Sequence, residues 1–155
     1  MAQDNRVATY WDAALRGAQW LLSQQRADGS FSDIAEGVDA YYKIPYALAV
    51  MGYPRQAYQL VDWAVRMALT PAGDVRGIEV KAQAIWHCQT YTYSNSWMVM
   101  GAQRIGRFDF SRPAIAFIRK FISPRNGGVF SEPGFIAAGR GRQDMVSTSQ
   151  AGSAC

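Results

Sequence analysis

Three short stretches of this sequence set acids, amides and aromatic rings side by side: Asp39-Ala40-Tyr41-Tyr42-Lys43, Tyr93-Ser94-Asn95-Ser96-Trp97 and Asp144-Met145-Val146-Ser147-Thr148. Asp39 and Asp144 can give or take a proton, the Tyr42 ring can stabilise a cation, and Asn95 can orient a hydroxyl or carboxylate. These four are the candidate catalytic residues. Tyr41, Tyr93 and Trp97 offer ring faces to an apolar or cationic group and Ser147 adds a hydroxyl, so they are the candidate substrate-binding residues. The same side chains also suit plainer work, Asp39 and Asp144 as helix caps and Tyr42 and Trp97 as core.

Other reactive types give less. His87 and Cys88 are adjacent, and neighbours along a chain seldom point the same way. With one His, and Cys88 far from Cys155, neither a zinc site nor any other metal or cofactor is expected from this chain. Cys88 reads as a buried, inert thiol.

Helices must position these segments. Val7, Trp11, Ala14, Leu15, Ala18, Leu21 and Leu22 fall at the three-and-four spacing of one helical face, which stops at Ala27-Asp28-Gly29. Ala57, Leu60, Val61, Ala64, Val65 and Ala68 repeat the stripe after Gly52-Tyr53-Pro54, where proline suits a first turn. Between them Ile44 to Met51 is short and apolar on several sides, the pattern of a helix buried between neighbours. The order returns from Trp97 to Ile105-Gly106, after which Pro113 is expected to open another helix through Ile122. Gly52 and Gly106 are equivalent marks, and overlaying them aligns Leu60-Val61 with Ala114-Ile115 and Trp63 with Phe117 at a period of 54.

A hairpin repeated at such a period cannot bury its own apolar face and must stack, so an all-α repeat or α/α toroid is predicted. Residues 71–92 and 124–143 read as connections, with a short helix near Val80 to Ile85. Met145 to Cys155 reads as the start of another inner helix.

The chain has 155 residues, nearly half of them hydrophobic, enough for one domain with its own core. It opens without a signal-peptide core and holds no run of about 20 apolar residues, so no membrane span is expected. The unpaired cysteine pattern suits a cytoplasmic setting. Residues 101–155 hold 8 basic against 3 acidic side chains, nearly all Arg (Arg104, Arg107, Arg112, Arg119, Arg125, Arg140, Arg142). They are dispersed without a basic run, so they read as solvated helix faces and no nucleic-acid partner is expected.

The end of the first helix carries a motif: Arg16-Gly17-Ala18-Gln19-Trp20-Leu21-Leu22-Ser23-Gln24-Gln25-Arg26-Ala27-Asp28-Gly29-Ser30-Phe31. It resembles the QW repeat of squalene-hopene cyclases and related triterpene cyclases, with Phe31 where Trp is usual. Arg16, Trp20, Gln25, Gly29 and Phe31 are the motif positions. Phe117-Ile118 through Asn126-Gly127-Gly128-Val129-Phe130-Ser131-Glu132-Pro133 resembles a degenerate copy lacking the Gln, and its Gly-Gly-x-Phe is also similar to repeats of protein prenyltransferase β subunits. The motif's physics is structural: Gln satisfies helix-end groups, Gly29 takes the left-handed turn and the aromatic covers the amide plane.

The resemblance implies an α/α toroid of six hairpins, of which residues 1–155 would form about the first half, a single domain truncated at its C-terminus. It also implies a cyclase or isomerase acting on an apolar polyene or isoprenoid. The DxDD acid of class II terpene cyclases is missing, and the zinc ligands of prenyltransferases would fall in the other half. A carbohydrate-active toroid, a lyase or hydrolase using residues such as Tyr91, Tyr93 and Asn95, stays open, and so does a non-catalytic interaction domain. An apolar small-molecule substrate, self-association and a complementary half-toroid are the expected partners.

Overall fold

A computed structural model describes residues 2–31, 41–75, 87–124 and 127–129. Among them are five helices and no strand: α1 (Ala2–Gln24), α2 (Ile44–Val50), α3 (Pro54–Met67), α4 (His87–Arg104) and α5 (Phe108–Arg119). The all-α expectation holds at that level.

α2 pairs with α3 and α4 with α5, while α2 and α4 lie side by side. Two layers result, α2 and α4 in front, α3 and α5 behind. The contact between α2 and α4 is close because Gly101 has no side chain. A Cβ there would stand 2.6 Å from that of Pro45 and 2.8 Å from the Tyr46 amide nitrogen. Between the layers Tyr41, Leu60, Val61, Trp63, Ala64, Met98, Ala102, Phe110 and Ala114 form the main core, which buries the stripe of α3 seen in the sequence.

The period of 54 is visible in the turns. Gly52 (φ +87°) and Gly106 (φ +75°) both adopt the left-handed conformation after the front helix. Tyr53 donates its amide to Leu48 at 2.8 Å, and Arg107 donates to Ala102 at 2.9 Å. Gly52 and Gly106 donate theirs to Ala49 and Gln103. Both pairs are the Schellman pattern, which satisfies the last carbonyls of a helix when glycine follows it.

A second device recurs behind α1, α3 and α5. The turns Arg26–Ser30, Thr70–Asp74 and Ser123–Gly128 are each closed by two backbone hydrogen bonds, and each contains a positive-φ glycine, Gly29, Gly73 or Gly127. Gly29 packs against the Gln59 carbonyl of α3, and Gly73 against the Pro113 carbonyl of α5. Gln59 and Pro113 are again 54 residues apart. The first turn therefore rests on α3 as the second rests on α5, and α1 joins the back layer by the same relation.

Several expectations need correction. The apolar stripe of α1 is buried only at its C-terminal end: Ala18 is buried, but Val7 and Trp11 are 66% and 54% exposed. Pro113 does not open a helix; it lies inside α5, which begins at Phe108. The earlier start follows from Arg107 and Asp109, an ion pair at the entrance with the acid in the first turn, where the helix dipole favours it. α4 likewise begins ten residues before Trp97, so the connection after α3 is shorter than residues 71–92. Arg107 is not on a solvated face: it is 6% exposed, whereas Arg104, Arg112 and Arg119 are exposed. The Val80 to Ile85 segment and Met145 to Cys155 lie outside the described residues.

Candidate functional site

The start of α2 and the first half of α4 bring one cluster together. Tyr42 and Lys43 precede α2, whose first turn carries Tyr46 and Ala47. α4 contributes Tyr93 and Trp97, one turn apart on one face. Tyr42 meets Tyr93 with ring centroids 5.6 Å apart, Tyr93 meets Trp97 at 6.3 Å, and Tyr46 meets Trp97 at 5.9 Å, all edge-to-face. This is the arrangement aromatic quadrupoles favour.

The Lys43 ammonium stands 5.4 Å from the Tyr42 and Tyr93 centroids and 5.6 Å from that of Trp97. Its pKa is raised above the ordinary lysine value, first by a hydrogen bond donated to the Tyr93 phenol and against the opposing effect of partial burial. The side chain is therefore a fixed positive charge at neutral pH, held among three negative ring faces. The ionisable groups of the cluster are this ammonium and the phenols of Tyr42, Tyr46 and Tyr93. Such a surface can hold an apolar or conjugated chain against the rings and an anionic group at Lys43.

Beside the cluster runs a slot of about 480 Å³ between α1 and α2. Ala14, Gly17, Ala18 and Leu21 form its α1 wall, Ala47, Leu48 and Met51 much of its α2 wall, and Lys43, Tyr46 and Trp97 line it too. Its walls are apolar except at Lys43.

The other sequence candidates divide. Tyr42, Tyr93 and Trp97 are in the cluster and partly exposed. Tyr41 is not: it is wholly buried, edge-on to Trp63 at 5.3 Å, so its ring belongs to the core and not to a substrate surface. Asn95 is also wholly buried. Its Nδ2 donates to the Gly73 carbonyl at 3.0 Å and its Oδ1 accepts from the Val75 amide at 3.3 Å. Both ends of the amide thus clasp the turn after α3, a positioning geometry. Asp39, Asp144 and Ser147 lie outside the described residues.

The motif residues Gln25 and Gly29 act at a helix joint. Gln25 Nε2 donates to the Gly29 carbonyl at 3.1 Å and to Gln56, in the first turn of α3, at 3.0 Å. Phe31 packs on the main core, while Trp20 is 63% exposed and Arg16 is exposed. Among the described residues no three His, Cys, Asp or Glu side chains gather as a metal site, and no described helix is long and apolar enough to cross a membrane.

Two features escaped the sequence reading. Lys43 was visible only as the neighbour of Tyr42, although it stands 54 residues before Trp97, the period that relates α2 to α4. Arg107 forks onto Asp109 at 2.8 and 2.7 Å, reaches Asp62 at 3.3 Å and stacks 4.3 Å from the Tyr58 centroid. The i, i+2 spacing of Arg107 and Asp109 after a glycine was its one signal. No family model, curated protein or solved structure matches the chain, so the reading of the site rests on its own geometry.

Proposed function

We propose that this chain is part of an α/α toroid of the terpene-cyclase and prenyltransferase kind, in a cytoplasmic setting, and that the aromatic face of α2 and α4 binds an apolar polyene or isoprenoid. The observation that carries the reading is the continuous run of Tyr42, Tyr93, Trp97 and Tyr46 rings around Lys43 on two adjacent front-layer helices. Ring faces suit a polyene, and the lysine suits an anionic end. If the domain is catalytic, as a cyclase or isomerase, Asp39 and Asp144 are the residues to supply or take the proton. The carbohydrate reading is weakened because the Asn95 amide is committed to the backbone of the turn after α3.

Thermal-shift screening with isoprenoid diphosphates, long-chain polyenes and uronic oligosaccharides tests this. Stabilisation by the first two classes, lost in Trp97→Ala, is expected. Stabilisation by the oligosaccharides alone would sink the reading. A second reading, an interaction domain that self-associates or pairs with a complementary half-toroid, is favoured by one observation: Val7, Tyr10, Trp11 and Trp20 of α1 are all more than half exposed.

A further inference from the structure

We propose that the ligand of the aromatic face is an apolar chain ending in a single carboxylate, with the chain in the slot between α1 and α2 and the carboxylate on Lys43, an inference that rests on the reading of this face as a ligand surface and specifies what the ligand is.

The head group follows from charge. Slot and ring cluster meet at Lys43, Tyr46 and Trp97, which belong to both. Among the described residues that line either, Lys43 is the one side chain charged at neutral pH, and it is exposed, so a ligand in the slot can reach its ammonium. One ammonium balances one carboxylate. A diphosphate carries several negative charges, which proteins meet with paired Arg and Lys side chains or a divalent cation. Against Lys43 alone, most of that charge would go unmatched beside an apolar wall. A neutral end would cover part of the ammonium's hydration and give it no anion in return. A cationic end would be repelled, because Lys43 already occupies the ring faces.

The head site is also preorganised. A surface lysine ordinarily gives up side-chain freedom when it binds an anion. Here the Tyr42, Tyr93 and Trp97 rings and the bond to the Tyr93 phenol hold the ammonium before any ligand arrives. A phenol that accepts from an ammonium still has its own proton to donate. The two carboxylate oxygens are thus offered two adjacent donors, the Lys43 ammonium and the Tyr93 hydroxyl.

The chain follows from the slot. Ala14, Gly17, Ala18 and Leu21 face Ala47 and Met51 across it, and no described lining side chain but Lys43 is charged. Gly17 has nothing within 4 Å of an added Cβ among the described residues, so these small side chains leave width for a branched chain. From Lys43 to Met51 the α2 wall is about 12 Å long at the helical rise of about 1.5 Å per residue. An extended carbon chain advances about 1.2 Å per bond, so about ten bonds fill that length, close to three isoprene units or a twelve-carbon fatty acid. An isoprenoid acid and an unbranched fatty acid of that length share this chemistry.

The test is calorimetric titration of the full chain with farnesoate, farnesol, farnesyl diphosphate, laurate and dodecylamine, each below its micellar concentration. Farnesoate, laurate or both should bind about tenfold or more tightly than the other three, the fold-change expected of one charge-assisted hydrogen bond. Farnesyl diphosphate then binds weakly, through its chain. Lys43→Gln should remove the carboxylate's advantage, Lys43→Arg should keep most of it, and Arg112→Gln, which deletes an exposed charge on α5, should change nothing. Gly17→Leu, which fills the slot, should weaken every chain that binds, so the chain's place is tested apart from the head's. Farnesol or farnesyl diphosphate binding as tightly as farnesoate and laurate would overturn the inference and leave the isoprenoid reading standing. Lys43-dependent binding of laurate with none of the three isoprenoids would keep the carboxylate and sink that reading. Dodecylamine binding as tightly as laurate, or carboxylate affinity unchanged in Lys43→Gln or in Gly17→Leu, would overturn the inference. Absence of binding by all five would overturn both.

Discussion

α1 and α3 are built alike and fare differently. Each carries a small and aliphatic stripe, each ends in a turn with a left-handed glycine, and each turn rests its glycine on the next back-layer helix. Yet Ala57, Leu60, Val61 and Ala64 of the α3 stripe are fully buried, while in α1 Ala18 is buried, Ala14 is exposed and Leu21 is half-buried. The difference lies in the front layer. α3 has α2 and α4 before it, and α1 has the slot. Amphipathic patterning supplies a face that can be buried, and stacking on a neighbour buries it.

The largest expected effect separates the two glycines that do the same work. At Gly73 (φ +86°) a methyl group would enter the left-handed region and meet the Pro113 carbonyl of α5. Gly73→Ala should destabilise the body by about 3–5 kcal/mol, the sum of backbone strain and overlap with an atom that cannot rotate away. Gly29→Ala makes the same kind of clash with Gln59, but it holds only α1. Denaturant melts should show Gly73→Ala lowering the main transition and Gly29→Ala leaving it nearly in place while the helical signal of α1 is lost. Equal losses in the main transition would mean that α1 belongs to the cooperative body after all.

Next comes Asn95→Ala. Removing an amide that bonds both the Gly73 carbonyl and the Val75 amide strands two buried backbone groups, a loss of about 2–3 kcal/mol. Asn95→Asp tests the geometry further, since a carboxylate can accept from Val75 but cannot donate to Gly73. It should recover only part of the loss.

How far these contrasts could be read in the sequence depends on the range of the interaction. The Schellman turns at Gly52 and Gly106 were legible because a glycine between an apolar run and a polar residue is a local signal. So was the joint at Gln25 and Gly29, on the strength of its motif. Asn95 misled because a polar residue beside aromatics in a segment expected to face a cavity looks like a site. Its partners, Gly73 and Val75, lie about 20 residues back in the chain, and nothing local announces them. Tyr41 and Tyr42 are adjacent and indistinguishable by type, yet one is core and the other rim, because α2 begins three residues after Tyr41 and neighbouring side chains there point apart. Pro113 misled for a further reason: the Arg107–Asp109 pair, not the proline, sets where α5 starts.

A smaller effect is expected from Gln25→Ala, which removes bonds to the Gly29 and Gln56 carbonyls. The loss, about 1–2 kcal/mol, should fall on the joint between α1 and α3. Amide exchange should quicken at residues 15–25 and stay slow at 57–64. Uniform acceleration would contradict a local joint.

The smallest effect is electrostatic, and it links both regions through acid. Asp109 is held below the ordinary aspartate value, chiefly by the Arg107 hydrogen bonds, and Asp28 is lowered by hydrogen bonds from the Ser30 hydroxyl and amide in the α1 turn. A carboxylate whose folded pKa lies below its unfolded value adds stability that is fully present above the unfolded pKa, near 4. That stability is lost as pH falls through the lower folded value. Stability should therefore be flat with respect to these groups from pH 5 to neutrality, as ordinary carboxyl titration is then complete, and should decline below about pH 4. The Asp109 side chain is half exposed, so water screens the pair and its share should stay under about 1 kcal/mol. Asp109→Asn should flatten the acid limb of the main transition while leaving that of α1, and Asp28→Asn should do the reverse. If Asp109→Asn leaves the acid dependence of the main transition unchanged, the entrance of α5 is held by the Arg107–Tyr58 stack and Asp62 instead.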